Sequence, residues 1–106
     1  MYRQGDVLVV PITSIPRGAT EEMLEKDCIV LAHGEATGHA HVIRDHSARM
    51  FCTPGQPKTK AIRFLRLVRS VELIHEEHDT VTIPPGDYEV IRQREYAPGE
   101  VRHVAD

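Results

Sequence analysis

The sequence predicts an all-β fold, a small barrel or cupin-like double-stranded roll with one short helix. Short aliphatic and β-branched runs recur along nearly the whole chain, turn-rich segments separate them every few residues, and only one stretch has helix composition. Strands of that length bury their apolar faces by packing sheet on sheet or by closing into a barrel. With 106 residues the chain can fill one core and not two, so 1–106 is read as a single β domain.

The first element follows the Gly5-Asp6 turn signal. "VLVVPI" (Val7 to Ile12) is a continuous apolar run that reads as a buried strand, and Pro11, Pro16 and Gly18 close it. "ATEEMLEKD" (Ala19 to Asp27) then offers good helix formers, Thr20 as an N-cap and acids in the first turn, which predicts a two-turn helix over residues 20–26. From Cys28 onward the strand signals are "CIVLA", "HAHVIR", "ARMFC", "AIRFLRLV", "VELIH", "TVTI", "DYEVIRQ" and "EVRHVA". Between them stand "HGEATG", "TPGQPKT", "HEEHD" and "IPPGD", whose Gly, Pro, Asp and Thr suit tight turns. In "TVTIPPGDYEV", Val81 and Ile83 alternate with Thr80 and Thr82, so one face is buried and one wet; Tyr88 and Val90 share a face of the next strand.

Composition narrows the function classes. Thirteen Lys and Arg stand against sixteen Asp and Glu, a net charge of -3 that gives no global pull toward nucleic acid or anionic membrane. No apolar run approaches a membrane span, and "MYRQGDV" resembles no secretory leader, so a cytoplasmic protein without membrane contact is expected. Cys28 and Cys52 lack CxxC spacing and read as two buried free thiols. The densest charge feature, "KTKAIRFLRLVR", spaces Lys58, Lys60, Arg63, Arg66 and Arg69 around Phe64. It reads either as a solvated edge strand or as a phosphate-binding strip for RNA.

Seven histidines in so short a chain are the compositional outlier. His33, His46 and His103 are scattered singly and read as surface or turn residues. In "GHAHVIR" a strand sends His39, His41 and Ile43 to one face and Ala40, Val42 and Arg44 to the other. "HEEH" places His75 and His78 three apart, where they meet if the segment turns. Two such pairs at strand ends supply neutral nitrogen donors from two places, as a divalent transition metal (Zn, Fe, Mn or Ni) requires of a β scaffold. Glu35 in the preceding turn and Glu77 in "HEEH" are the carboxylates placed to assist a bound water, with Thr37 beside them. A histidine pair can also act without metal, as general acid and base in phosphodiester transfer, with Arg63, Arg66 or Arg94 holding the phosphate. Tyr96, in "QREYAPGEVRHVAD", reads either as a packed ring or as a hydrogen-bond donor at the rim of the histidine site.

"YRQGDVLVVPI", "LAHGEATGHAHVI", "HEEHDTVTIPPGDYEV" and "QREYAPGEVRHVAD" together resemble a family of small uncharacterised bacterial and phage proteins with the same motif order; the resemblance covers most of the chain and implies no activity. "GEATGHAH" and "PPGDYE" also resemble, in part, the two motifs of the cupins. Gly34 stands one residue too near His39, Asp45 or His46 falls where the cupin Glu would be, and Glu89 takes the place of the second motif's His. What this resemblance implies is architecture: strands, a tight PxG turn and an HxH pair on an inward face.

Three functions follow as expectations. The first is a metal-dependent, hydrolytic enzyme with His39, His41, His75 and His78 as ligands and Glu35 or Glu77 as proton carrier. The second is a metal-independent ribonuclease or other phosphodiesterase, and the third a non-enzymatic binding or assembly module. A β scaffold with an open edge also pairs readily with a copy of itself, so a homo-oligomer is expected.

Overall fold

The computed structural model describes residues 1–23, 28–33, 39–55, 61–92, 94–97 and 100–103, with backbone alone at 33, 94–97 and 100–103. Twelve strands carry these residues: β1 (Tyr2–Gln4), β2 (Val7–Pro11), β3 (Thr20–Glu21), β4 (Ile29–His33), β5 (Ala40–Ile43), β6 (Arg49–Cys52), β7 (Arg63–Leu67), β8 (Val71–Ile74), β9 (Val81–Ile83), β10 (Gly86–Arg92), β11 (Arg94–Ala97) and β12 (Glu100–His103). The fold is all-β, with every pairing antiparallel.

Among the described residues the strands form two main sheets and a hairpin rather than a closed barrel. The larger sheet runs β1-β2-β10-β7-β6-β3 and the smaller β4-β5-β8-β9, while β11 and β12 pair only with each other. Alternation builds the core. Val7 and Val9 of β2, Leu65 and Leu67 of β7, Ile43 of β5 and Leu73 of β8 all turn inward, and residues from both sheets join one apolar cluster. Each of these side chains contributes roughly 1.5–3 kcal/mol through the apolar area it removes from water. The pattern expected for "TVTI" holds: Ile83 is buried and Thr82 exposed.

The expected helix does not form at its first residues. Thr20 and Glu21 pair with Cys52 and Phe51 of β6, and Glu22 N–H donates to Met50 O at 2.8 Å; residues 24–27 lie outside those described. Local helix propensity there is worth a few tenths of a kcal/mol per residue, and pairing with an existing sheet outweighs it. The two cysteines are free as expected, but half-buried rather than buried.

Two polar devices tie the sheets together. Leu31 is the extra residue of a bulge in β4, between Val30, opposite Val42, and Ala32, opposite His41. Arg63 of β7 reaches across to that bulge, donating to Leu31 O at 2.8 Å and Val30 O at 3.2 Å, while Glu22 takes its Nε and Nη2 at 3.0 Å each. The second device is Gln4, at the end of β1. It is 2% exposed, and its Nε2 donates to Leu73 O at 2.8 Å and Asp79 O at 3.0 Å.

Candidate functional site

The sheet register brings the two histidine motifs together. Val42 of β5 pairs with Ile74 of β8, so one step further His41, near the start of β5, faces His75, where β8 runs out into the 75–79 turn. The turn folds His78 back toward the same place. Ring centroids are 4.4 Å apart for His41 and His75, 4.6 Å for His75 and His78, 5.7 Å for His39 and His75, and 5.9 Å for His41 and His78. All four histidines singled out in the sequence therefore share one cluster.

Their surroundings differ. His41 is fully buried and its Nδ1 lies 2.8 Å from Gln4 Oε1. Because Gln4 Nε2 serves two carbonyl oxygens, Oε1 must be the atom facing the ring, and His41 Nδ1 must carry the hydrogen. In the neutral ring the lone pair is then on Nε2, which stands 3.5 Å from Oδ1 of Asp6. Asp6 belongs to the two-residue turn between β1 and β2, where Gly5 takes a positive φ of 59°. Its other oxygen, Oδ2, accepts a 2.7 Å bond from Nε of Arg92, at the end of β10.

His75 is arranged the other way. Its Nδ1 accepts from Glu77 N–H at 3.0 Å, so the neutral ring carries its hydrogen on Nε2. That Nε2, like the Nε2 of His78, is buried without a hydrogen-bond partner, as is Oδ1 of Asp6. Such groups normally find partners, and each left bare costs about 1–3 kcal/mol.

The carboxylates of "HEEH" divide their roles. Glu76 accepts from Ala40 N–H at 3.2 Å, pinning the turn to the start of β5; backbone N–H groups, first its own and then that of Ala40, hold its carboxyl below the ordinary range, with His39 and His75 adding to the effect. Glu77 lies at the rim, 59% exposed, with Oε1 3.2 Å from His39 Nδ1.

The other predicted residues fall differently. Glu35 and Thr37 lie outside the described residues. Arg94 and Tyr96 sit on β11, opposite His103 and Val101, with only their backbone described. Arg63 is engaged at the β4 bulge, and Arg66 pairs with Asp87 at 3.1 Å and lies over the Phe51 ring, its pKa raised by the Asp87 hydrogen bond. Arg69 is held by Asp45 at 2.9 Å. Arg63, Arg66 and Arg69 of the basic strip are thus matched by acids, while Lys58 and Lys60 lie outside the described residues. Gln4, Asp6 and Arg92 are members of the site that the sequence reading did not single out; Gly5-Asp6 read only as a turn signal, and Arg92 only as part of the strand signal "DYEVIRQ".

Residues 3–93 match the model of a family described as a domain of unknown function, DUF8820. The chain belongs to the DUF8820 family. The matched span contains every described member of the histidine site and stops short of Arg94 and Tyr96. No curated protein and no solved structure matches this DUF8820 member.

Proposed function

We propose that this DUF8820 protein is a metal-dependent enzyme of hydrolytic type, with its metal centre in the cluster of His39, His41, His75 and His78. The observation that carries the reading is the burial of bare donor atoms in one place, Nε2 of His78 and Oδ1 of Asp6, beside the rings of His41 and His75. A divalent cation offsets the cost of burying them, and Gln4 holds His41 as outer partners hold metal-binding histidines, through the nitrogen the metal does not use.

Among the described residues no three His, Cys, Asp or Glu side chains already stand in a geometry that holds a metal ion. The rings are stacked or tilted against one another, so binding requires small rotations that turn their nitrogens to a common point. Zn, Fe, Mn and Ni all accept imidazole and carboxylate donors. A bound divalent metal supplies a water of lowered pKa and polarises the substrate. Glu77, exposed at the rim and beside His39, is the carboxylate able to carry a proton between the site and solvent. The ribonuclease alternative is weaker, because the donors of Arg63 and Arg66 that would grip phosphate already serve Glu22, the β4 carbonyls and Asp87.

The test is a hydrolase screen with chromogenic esters and phosphodiesters, run with and without EDTA. Activity lost in EDTA and restored by one divalent metal supports the proposal. Activity that persists in EDTA yet disappears in His41→Ala overturns it in favour of metal-free histidine catalysis.

A further inference from the structure

The contact between Asp6 and His41 is close enough for an ion pair but too long for a charge-assisted hydrogen bond. Both side chains are 0% exposed, and Oδ1 of Asp6 stands 3.5 Å from Nε2 of His41. A charge-assisted N–H···O bond closes to about 2.7–2.9 Å, and the same carboxylate does so on its other oxygen, where Arg92 Nε lies at 2.7 Å. Asp6 is therefore not prevented from making a short bond; it makes one on Oδ2 and stands off on Oδ1.

The atoms facing each other both present lone pairs. The Gln4 amide fixes the hydrogen of His41 on Nδ1, so the neutral ring turns an unprotonated Nε2 toward a carboxylate oxygen that receives no hydrogen bond. Two acceptors face to face inside a protein need a cation between them. A proton would draw them together. A metal ion would hold them apart: two bonds of about 2.1 Å meeting at a tetrahedral angle separate their donor atoms by about 3.4 Å.

Resting on the metal-centre reading above, we infer that Oδ1 of Asp6 and Nε2 of His41 are a preformed edge of a tetrahedral zinc-type site, with Arg92 and Gln4 as positioning residues that aim them. The third protein donor is His78, whose Nε2 is buried without a partner. His75 is not a ligand while its Nδ1 accepts from Glu77 N–H, because its Nε2 then carries a hydrogen; it is a hydrogen-bond donor facing the site. Two histidines and one carboxylate leave a fourth position for water or substrate, the arrangement a hydrolytic metal needs.

Cobalt(II) titration of the full chain, followed by its visible d–d absorption, tests this assignment. The wild type is expected to give the intense spectrum of a four-coordinate ion. Asp6→Asn is expected to weaken cobalt binding at least tenfold and alter that spectrum, and Arg92→Gln to weaken it roughly 10-fold, as loss of an outer partner does. The exposed His46→Ala control is expected to bind as wild type. If Asp6→Asn binds within twofold of wild type with the same spectrum, the Asp6 assignment is wrong and the metal-centre proposal stands. If the wild type binds neither cobalt nor zinc, the inference falls, and the metal-centre proposal falls with it when iron, manganese and nickel fail to bind as well. Should Asp6→Asn not fold, nitrogen-15 NMR of histidine-labelled wild type decides: zinc must shift Nε2 of His41 while Nδ1 keeps its hydrogen, and an unshifted Nε2 overturns the inference.

Discussion

Gln4→Leu isolates the residue on which the geometry of His41 depends. Leucine is close to glutamine in volume, so little cavity is created, and what changes is polarity. The wild-type side chain makes three hydrogen bonds: 2.8 Å to Leu73 O, 3.0 Å to Asp79 O and 2.8 Å from His41 Nδ1. The first and third are buried, whereas water can replace the amide at Asp79. Two buried groups then lose their partners at about 1–3 kcal/mol each, and we expect a loss of about 3 kcal/mol. At roughly 4–8 °C per kcal/mol for a domain near this size, the melting temperature falls by about 15 °C. Gln4→Glu keeps the shape and is no milder, because it sets a carboxylate oxygen against two carbonyl oxygens. The assay is urea unfolding in EDTA, which removes any contribution from metal, with the midpoint and slope fitted separately. A loss below about 0.5 kcal/mol for Gln4→Leu would mean that Gln4 does not bridge β1 to the smaller sheet, and the tautomer argument for His41 would go with it.

Arg63→Met leaves Glu22 and two carbonyls of the β4 bulge without their donor, and urea unfolding should show a loss of about 2 kcal/mol from these charge-assisted bonds; RNA retention on a filter should not change, and a loss confined to RNA binding would restore the phosphate-strip reading. The carboxyl of Asp45 is held well below its ordinary value, first by the Arg69 hydrogen bond and then by Ser47. Its ionised form is therefore favoured in the folded state, and that stability is fully present above its ordinary value of 3.8 and is lost as the pH falls through the depressed folded value. Asp45→Asn should thus be less stable than wild type at pH 7, with a gap that narrows in acid; a gap independent of pH would refute the assignment. Tyr88→Phe removes a 2.6 Å bond to Pro84 O beside the Gly86 turn and should cost about 1 kcal/mol in thermal unfolding, and no change would show that the bond holds nothing.

Period-two patterning made much of this legible. "GHAHVIR" sent His41 and Ile43 inward as alternation requires, and the turn between "VELIH" and "TVTI" was set by "HEEHD". What the pattern could not supply was register. That His41 faces His75 depends on Val42 pairing with Ile74, a choice made by packing across the whole sheet. Thr20 and Glu21 looked helical because propensity is local, while their partners on β6 are remote in sequence. Asp6 hid inside a hairpin turn, and its partner Arg92 lies 86 residues away. Arg63 looked like part of a basic strip because spacing along a strand does not reveal which carboxylates face it from other elements.

Elemental analysis of untagged protein, purified without added metal or chelator, shows whether the histidine cluster is a metal centre. Close to one zinc, iron, manganese or nickel ion per chain is expected in the wild type, with a large loss of that metal in the His41→Ala, His78→Ala double variant. Folded wild-type protein with no stoichiometric metal, unable to take one up on addition of any of the four, would contradict the proposed metal centre.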